Sequence, residues 1–560
     1  MYTARMSTGT ASVASSVPAG LARWLPGGFI LTLLLLGLAP DVRANPVLAW
    51  TFAGTATGLA LWQLWLLWRG PPLVIDWQPR APHYVQTVMH LSIYLYWGWH
   101  WRQVYDQAEL ILAQVLLAYA LDLLLSWSRG RTAVLGFGPI PIVLSTNLFL
   151  WFRDDWFYFQ FAMIAVAFLA KHFVRWQRDG AGSHIFNPSS FPLALTAAVL
   201  IATGTTGLTW GEDIARHLGD PAHMYLWIFT VGLIVQGLFG ITLITAAAAV
   251  TLVALNLVYT AATGVYYFLD STIPIAVFLG MHLLITDPVT SPRTELGKAL
   301  FGAGYGLGVF ALYTILGWLG APTFFDKLLA VPLLNLSVRA IDRLCRRPAL
   351  VEHSPWRRLA PDLGARGRNL VYVALWALTF AGLYAGGLVG GHHPGEEPAF
   401  WRQACAADAR KACWNLLIMQ REHCRGGDAQ ACLDVARLAA DQVPGTLSRE
   451  LPGGLQRACD LGAAEGCRGL LEQMLGPLPD ADSDPRLPEL LRNARHLAWQ
   501  GAPVFETMDR ACRLGDGRSC FLLALVREGG QADAALLQRA CDMGLAAACE
   551  ALQSMGDPRR

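Results

Sequence analysis

The chain has 560 residues, 54% of them hydrophobic and only 15% charged, with a formal net charge of +2. Such an apolar excess exceeds what one soluble core can hide, which places the chain among multi-spanning membrane proteins with membrane lipid around it. There is no basic interaction tail, the charges fall in short clusters between apolar runs, and no nucleic acid is expected among the partners.

Residues 1–26 are mostly small and polar, and the first apolar run, GFILTLLLLGLAP, has no A-x-A-like site after it. It therefore reads as a short first span, not a cleaved signal peptide. A helix needs about 20 apolar residues to cross the hydrocarbon. Candidates follow at 27–41, 47–68, 86–101, 107–127, 132–151, 156–172, 188–204, 223–240, 241–263, 271–286, 299–318, 324–340 and 369–389. Because the third and tenth are short, the expectation is an all-α, polytopic bundle of about 10–13 spans.

With a cytoplasmic N-terminus, the Arg/Lys-rich connections (128–131, 171–179, 291–298 and 343–368) all fall inside, as orientation by positive charge requires. Neutral or acidic connections such as 153–155 and 204–223 fall outside. Within the spans, Asp122 is expected to form a snorkelling ion pair with Arg129 or Arg131. His100 lies in the aromatic stretch YLYWGWHWRQVY, which reads as interfacial anchoring.

Two segments stand out. In SHIFNPSSFP (183–192), Asn187-Pro188 stops an arriving helix, and Ser189 or Ser190 is placed to cap the next one, leaving its positive end for an anion. In TDPVTSPRT (286–294), an acid, hydroxyls and two prolines close a later span on the same side. Proline-broken polar mouths far apart in sequence suit a site between discontinuous helices. The candidate site residues are His184, Asn187, Ser189, Ser190, Thr286, Asp287 and Thr290. His282, one turn before Thr286, is a polar neighbour whose ring is positioned to project toward them. No metal site and no nucleotide-binding fingerprint is read.

The H-I-F-N-P and T-D-P-V-T-x-P segments, with the closing stretch DKLLAVPLLNLSVRAIDRLCRRP (326–348) and its N-x-x-x-x-x-I-D-R ending, resemble the RnfD/NqrB family of membrane flavoprotein subunits. The resemblance covers roughly 85–348 and is fullest toward the branch labelled enediyne biosynthesis protein UnbU. It implies a flavin- or quinone-type redox subunit in transmembrane electron transfer, with electron-transfer partner subunits. The family esterifies FMN phosphate to a threonine about nine residues before T-D-P. Here that position is Val277, which has no hydroxyl, so non-covalent FMN or riboflavin is the expectation, and Thr272 and Ser271 are the nearby hydroxyls. The alternative is a scaffold or transporter that has lost its cofactor. No catalytic residue is assigned, and whether the chain is an enzyme stays open.

Composition changes near Gly391. GGHHPGEEP (390–398) reads as a linker, and His392 and His393 as exposed residues within it. Four segments result: 1–84 with two extra helices, the 85–348 core, 349–395 with the last span, and a soluble domain at 396–560. That domain holds ten of the eleven cysteines, in five pairs of identical spacing: Cys405/Cys413, Cys424/Cys432, Cys459/Cys467, Cys512/Cys520 and Cys541/Cys549. On a straight helix, residues eight apart are about 12 Å apart, whereas a disulfide needs Cα atoms within about 7 Å. The chain must turn between partners, and Gly427, Gly462, Gly515 and Gly544 stand where a helix would stop, with Asp408 in the remaining pair.

Disulfides persist in an oxidising compartment. The last span delivers this domain outside, while unpaired Cys345 falls in an Arg-rich inner loop. The A-C-x-x-G-x-x-x-x-C pattern is similar to the cysteine-rich, Sel1-like repeat family, which implies an α-solenoid that binds a periplasmic protein or peptide. The expected location is the bacterial plasma membrane.

Overall fold

The computed structural model describes residues 15–347, 363–407, 410–441, 450–479, 484–526 and 532–556. Asp408 lies outside them. Two compact units are present, residues 1–393 and 394–560.

The first unit is mainly helical. It opens with α1 (Leu25–Leu36) and α2 (Pro46–Arg69), then α3 (Ala81–His100), α4 (Ala108–Arg129), α5 (Pro139–Asn147), α6 (Tyr158–Phe173) and α7 (Ser190–Thr203). There follow α8 (Met224–Phe239), α9 (Thr242–Thr263), α10 (Ile275–Leu283), α11 (Glu295–Trp318), α12 (Asp326–Cys345) and α13 (Ala365–Ala385). The expected all-α fold is modified by short strands. β1 (Ser15–Ser16), β2 (Val74–Trp77) and β3 (Thr132–Leu135) form one small sheet, and β4 (Arg175–Arg178) pairs antiparallel with β5 (Ala181–His184) as a hairpin.

Helices α3–α7 and α8–α12 are two versions of one five-helix plan. The third member of each, α5 or α10, is only nine residues long and contains or completes an Ile-Pro-Ile tripeptide (140–142, 273–275). A tyrosine of the first member clamps each one: the Tyr94 hydroxyl donates to the Leu144 carbonyl and the Tyr225 hydroxyl to the Ile273 carbonyl, both at 2.7 Å. Across the two sets, α3 packs on α8 and α7 on α12, so equivalent members meet each other. Within the second set the backbones of α9 and α11 approach closely. A Cβ on Gly302 would stand 2.1 Å from the Ile244 carbonyl oxygen, so small residues at 302 and 306 are what permit the contact.

Three helices among the described residues, α4, α9 and α11, are long and apolar enough to cross a membrane. The segments expected to span at 132–151 and 271–286 contain helices of only nine residues preceded by non-helical chain, because Pro139, Pro141 and Pro274 confine the helix to what lies beyond them. The outside of this unit is apolar: Leu61, Leu95, Val258 and Leu378 are all more than 60% exposed. Among the described residues, only five of the exposed large apolar side chains lie in the second unit, so the greasy surface belongs to the first. The linker expectation needs one correction at the end of this unit. His392 is exposed, but His393 is buried, its ring 4.3 Å from that of Tyr266.

In the second unit, ten helices follow one another among the described residues: Pro398–Ala406, Arg410–Arg425, Ala429–Asp441, Glu450–Asp460, Ala464–Leu475, Leu487–Trp499, Val504–Arg513, Gly517–Val526, Ala534–Asp542 and Ala546–Gly556. All five expected disulfides are formed: Cys405–Cys413, Cys424–Cys432, Cys459–Cys467, Cys512–Cys520 and Cys541–Cys549, with Cα atoms 4.6–4.8 Å apart. Their placement is more regular than the turn argument required. The first cysteine of every pair is the penultimate residue of its helix. The second, whether Cys413, Cys432, Cys467, Cys520 or Cys549, is the fourth residue of the helix that follows. Each bond therefore joins the last turn of one helix to the first turn of the next, which fixes the crossing as well as the loop.

Gly427, Gly462, Gly515 and Gly544 have φ between 87° and 101°, the left-handed conformation that ends a helix without a Cβ penalty. Asp428 and Asp516 then begin the following helices, their carboxylates accepting from Gln430 N and Ser519 N at 2.9 and 3.1 Å.

Candidate functional site

The two proline-broken segments come together. Asn187, 5% exposed, donates from Nδ2 to the Leu284 carbonyl at 2.7 Å, at the point where α10 has ended. His184 Nε2 lies 3.3 Å from Asp287 Oδ2. The Asp287 carboxylate also accepts from Val289 N at 3.0 Å and from the Thr290 hydroxyl at 2.9 Å. Asp287 immediately follows the expected span 271–286. Burial pushes its carboxyl up, but the His184 ring, the Val289 N–H and the Thr290 hydroxyl together hold it below its ordinary 3.8.

The start of α7 is capped differently from the expectation. Asn187 Oδ1 accepts from Ser189 N at 2.8 Å and from Ser190 N at 3.2 Å, so Asn187, not a serine, closes the helix end. Ser189 Oγ instead reaches α5, 2.5 Å from Ser145 Oγ and 3.2 Å from the Ile142 carbonyl. Ser190 Oγ donates to the Asn187 carbonyl. An anion placed at this helix start would compete with Asn187 for the same N–H groups.

His282 does not project into the mouth. It is fully buried against Gly232, with its ring 4.4 Å from Phe278 and 6.0 Å from Trp376, and Nδ1 is 2.7 Å from the Phe278 carbonyl. Its Nε2 has no hydrogen-bond partner. The Thr286 hydroxyl turns back to the His282 carbonyl at 2.6 Å. Asp122 is ion-paired, but with Lys171 (3.0 Å) and His172 (2.8 Å) of α6, because α4 and α6 pack side by side there; Arg129 donates to the His172 carbonyl. Cys345 is free, as expected, yet it is the last residue of α12 and buried, not a loop residue.

Several participants were not anticipated. Arg178, 5% exposed, donates to the Val289 carbonyl (2.9 Å), the Ser291 carbonyl (2.8 Å) and Asp342 (2.6 Å), tying the β4–β5 hairpin to the 286–294 segment and α12. Asn335 Oδ1 accepts from Asn187 N at 3.1 Å, and Asp342 Oδ1 from Arg293 N at 3.0 Å. The N-x-x-x-x-x-I-D-R spacing was the available signal: seven residues make two helical turns, so Asn335 and Asp342 share one face of α12. For Arg178 there was none, since it stands among the other loop cations of KHFVRWQRD. A second buried pair lies at the opposite end of α12, where Lys327 Nζ is 3.4 Å from Asp326 Oδ1 and 4.1 Å above the Phe324 ring.

Chemically, the mouth holds hydrogen-bond donors and acceptors, one imidazole and one carboxylate, and among the described residues no group of three or more His, Cys, Asp or Glu is arranged for a metal. The ten cysteines of the second unit, Cys413, Cys467 and Cys549 among them, are consumed in disulfides and offer no thiol for chemistry. Comparison with known proteins supplies no relative: no family model, no curated protein and no solved structure matches the chain.

Proposed function

We propose that the first unit is a polytopic membrane bundle of about 10–13 spans, similar to RnfD/NqrB subunits, that holds a planar redox group at the mouth between α7 and α10. In this reading the positively charged connections lie in the cytoplasm, and electron-transfer subunits dock on the same protein. The observation that carries it is the pairing of His184 with Asp287 and of Asn187 with the Leu284 carbonyl, which joins two broken segments 97 or more residues apart. Irregular backbone at membrane depth is tolerated where it is buried or lines a site.

An FMN ester at the position implied by the resemblance does not fit, because Val277 has no hydroxyl and is fully buried in α10. A non-covalent flavin or quinone fits the donor set better. His184 offers a hydrogen bond to a ring edge, whereas Ser189, Ser190 and Thr290, whose hydroxyls are engaged within the protein, would contribute only by exchanging those bonds for the ligand's. Such a group supplies one- and two-electron transfer when bound, and the protein's part is to orient it and tune it by those bonds. The second unit, read as a Sel1-like repeat array in an oxidising compartment, recruits a protein or peptide.

The absorbance spectrum of detergent-purified protein tests the redox reading. Flavin bands present in the wild type and lost in Asn187→Ala and Asp287→Ala support it; a colourless wild-type protein refutes it. A specific observation favours the alternative, a cofactor-less scaffold or transporter. The Asn187 amide is engaged by Leu284, Ser189 and Ser190, so this part of the mouth is satisfied without a ligand. A colourless protein that still captures a partner through residues 394–560 is that reading's expected outcome.

A further inference from the structure

One face of the β4–β5 hairpin carries three hydrogen-bond donors with nothing to donate to. Trp176 and Ser183 are register partners, and Arg178 lies two residues beyond Trp176. Opposed residues and residues two apart point to the same side of a strand pair, so all three side chains share one face. Trp176 Nε1, Arg178 Nε and Ser183 Oγ are each buried and each lack a partner. Arg178 is 5% exposed, and its other two nitrogens are both engaged, Nη1 by the Val289 carbonyl and Nη2 by the Ser291 carbonyl and Asp342. Unsatisfied buried polar atoms are rare in folded proteins, and leaving one costs about 1–3 kcal/mol. Three on one hairpin face, all N–H or O–H, call for an acceptor.

The surroundings decide its sign. The Arg339 guanidinium stands 5.5 Å above the Trp176 ring. The nearby acids are already committed: Asp342 to Arg178 (2.6 Å) and to Arg293 N, and Asp179 to Arg293 (2.5 Å) and Arg346 (2.8 Å). Arg339 has no acid partner among the described ion pairs, which leaves cationic charge over the Trp176 ring.

We propose that this hairpin face, where Arg178 and Trp176 meet Asp342 and Arg339 of α12, binds a phosphate-type oxyanion, received by Trp176 Nε1, Arg178 Nε and Ser183 Oγ, with Arg339 beside it. The anion's tetrahedral oxygens accept several bonds at once, which one carbonyl does not. The same chemistry is offered by the headgroup phosphate of a membrane lipid and by a soluble phosphate ester. The site adjoins the mouth, since Ser183 precedes His184 and Arg178 bonds the Val289 and Ser291 carbonyls, but it uses donors that the mouth does not and does not depend on the redox reading.

The test uses the full chain, purified in phosphate-free detergent and, separately, in nanodiscs of phosphatidylglycerol or phosphatidylcholine. Inorganic phosphate is titrated against chloride at matched ionic strength, and retained lipid is read by native mass spectrometry. The variant is Trp176→Phe with Ser183→Ala. It keeps an aromatic ring under Arg339 and removes two donor atoms that make no bond in the structure; because the smaller ring also loses packing, Ser183→Ala alone is the second variant, for which thermal unfolding is expected to stay unchanged while binding weakens. The expected result is a saturable phosphate isotherm or a retained phosphatidylglycerol adduct, weakened about tenfold or more in the variant. Displacement of the lipid by phosphate assigns the site to a headgroup; saturable phosphate binding to lipid-free protein assigns it to a soluble ester. If phosphate acts no differently from chloride and no adduct is retained, or if wild type and variant bind equally, the proposal is overturned, and water alone meets these donors.

Discussion

The two units solve the same problem, holding helices together, by opposite means. In the second, five short covalent loops staple five of the nine joints between the described helices, and the helices bury cysteine, alanine and leucine faces such as Cys432, Ala458, Cys467, Leu471 and Cys520. In the first, the joints are non-covalent and polar, placed at breaks in α5, α7 and α10, while the apolar residues that would ordinarily form a core are also turned outward. Where the surroundings are apolar, hydrophobic burial loses its power to specify which helix meets which, and hydrogen bonds and close backbone contacts take over. Where the surroundings are water, burial does the specifying and the staples restrict the unfolded chain.

Reduction gives the sharpest contrast. Each eight-residue loop is worth about 2–3 kcal/mol by chain-entropy reasoning, so opening all five is expected to make residues 394–560 sensitive to protease while residues 15–347 stay protected. Loss of protection in both units at once would break the comparison. The next largest effect is at Arg178. Arg178→Ala leaves the buried Asp342 carboxylate only the Arg293 N–H and a 4.0 Å contact with Arg346 and is expected to cost about 3 kcal/mol, whereas Arg178→Met combined with Asp342→Leu is expected to cost much less. Thermal unfolding of the purified variants reads this directly, and equal losses for the single and double changes would show that packing, not charge, holds the hairpin.

The smallest effect is in acid. Because Asp287 is held below its ordinary 3.8 when folded, its contribution is fully present above that value and is lost as the pH falls through the lower folded value. Asp287→Asn is expected to flatten the stability profile below 3.8. An unchanged profile would mean that His184 and Asp287 do not stabilise the joint.

How much of this was legible varied with the range of the interaction. The disulfides and their glycine stops were readable because each lies within eight residues, where spacing and chirality leave few choices. Spacing alone did not say how far past the turn Cys413, Cys467 and Cys549 would sit, since that depends on where the next helix starts. That His184 and Asn187 would meet the 286–290 segment was readable only as a pairing of like-looking mouths. The direction of His282 was not, because it depends on Gly232 of another helix leaving room for the ring. Asp122 was read with the cations nearest in sequence, and the nearest in space proved to be Lys171 and His172.

The sequence by itself determined composition class, the change of character near residue 391, the cysteine pairing and the places where helices break, since all of these follow from local chemistry. Tertiary structure alone decided the matched packing of α3–α7 and α8–α12, the Asn187 cap, the grip of Arg178 on Asp342 and the unsatisfied hairpin face. Those depend on which distant helices share a boundary, and a linear pattern of polarity does not encode that, because many pairings of similar apolar faces would bury the same area.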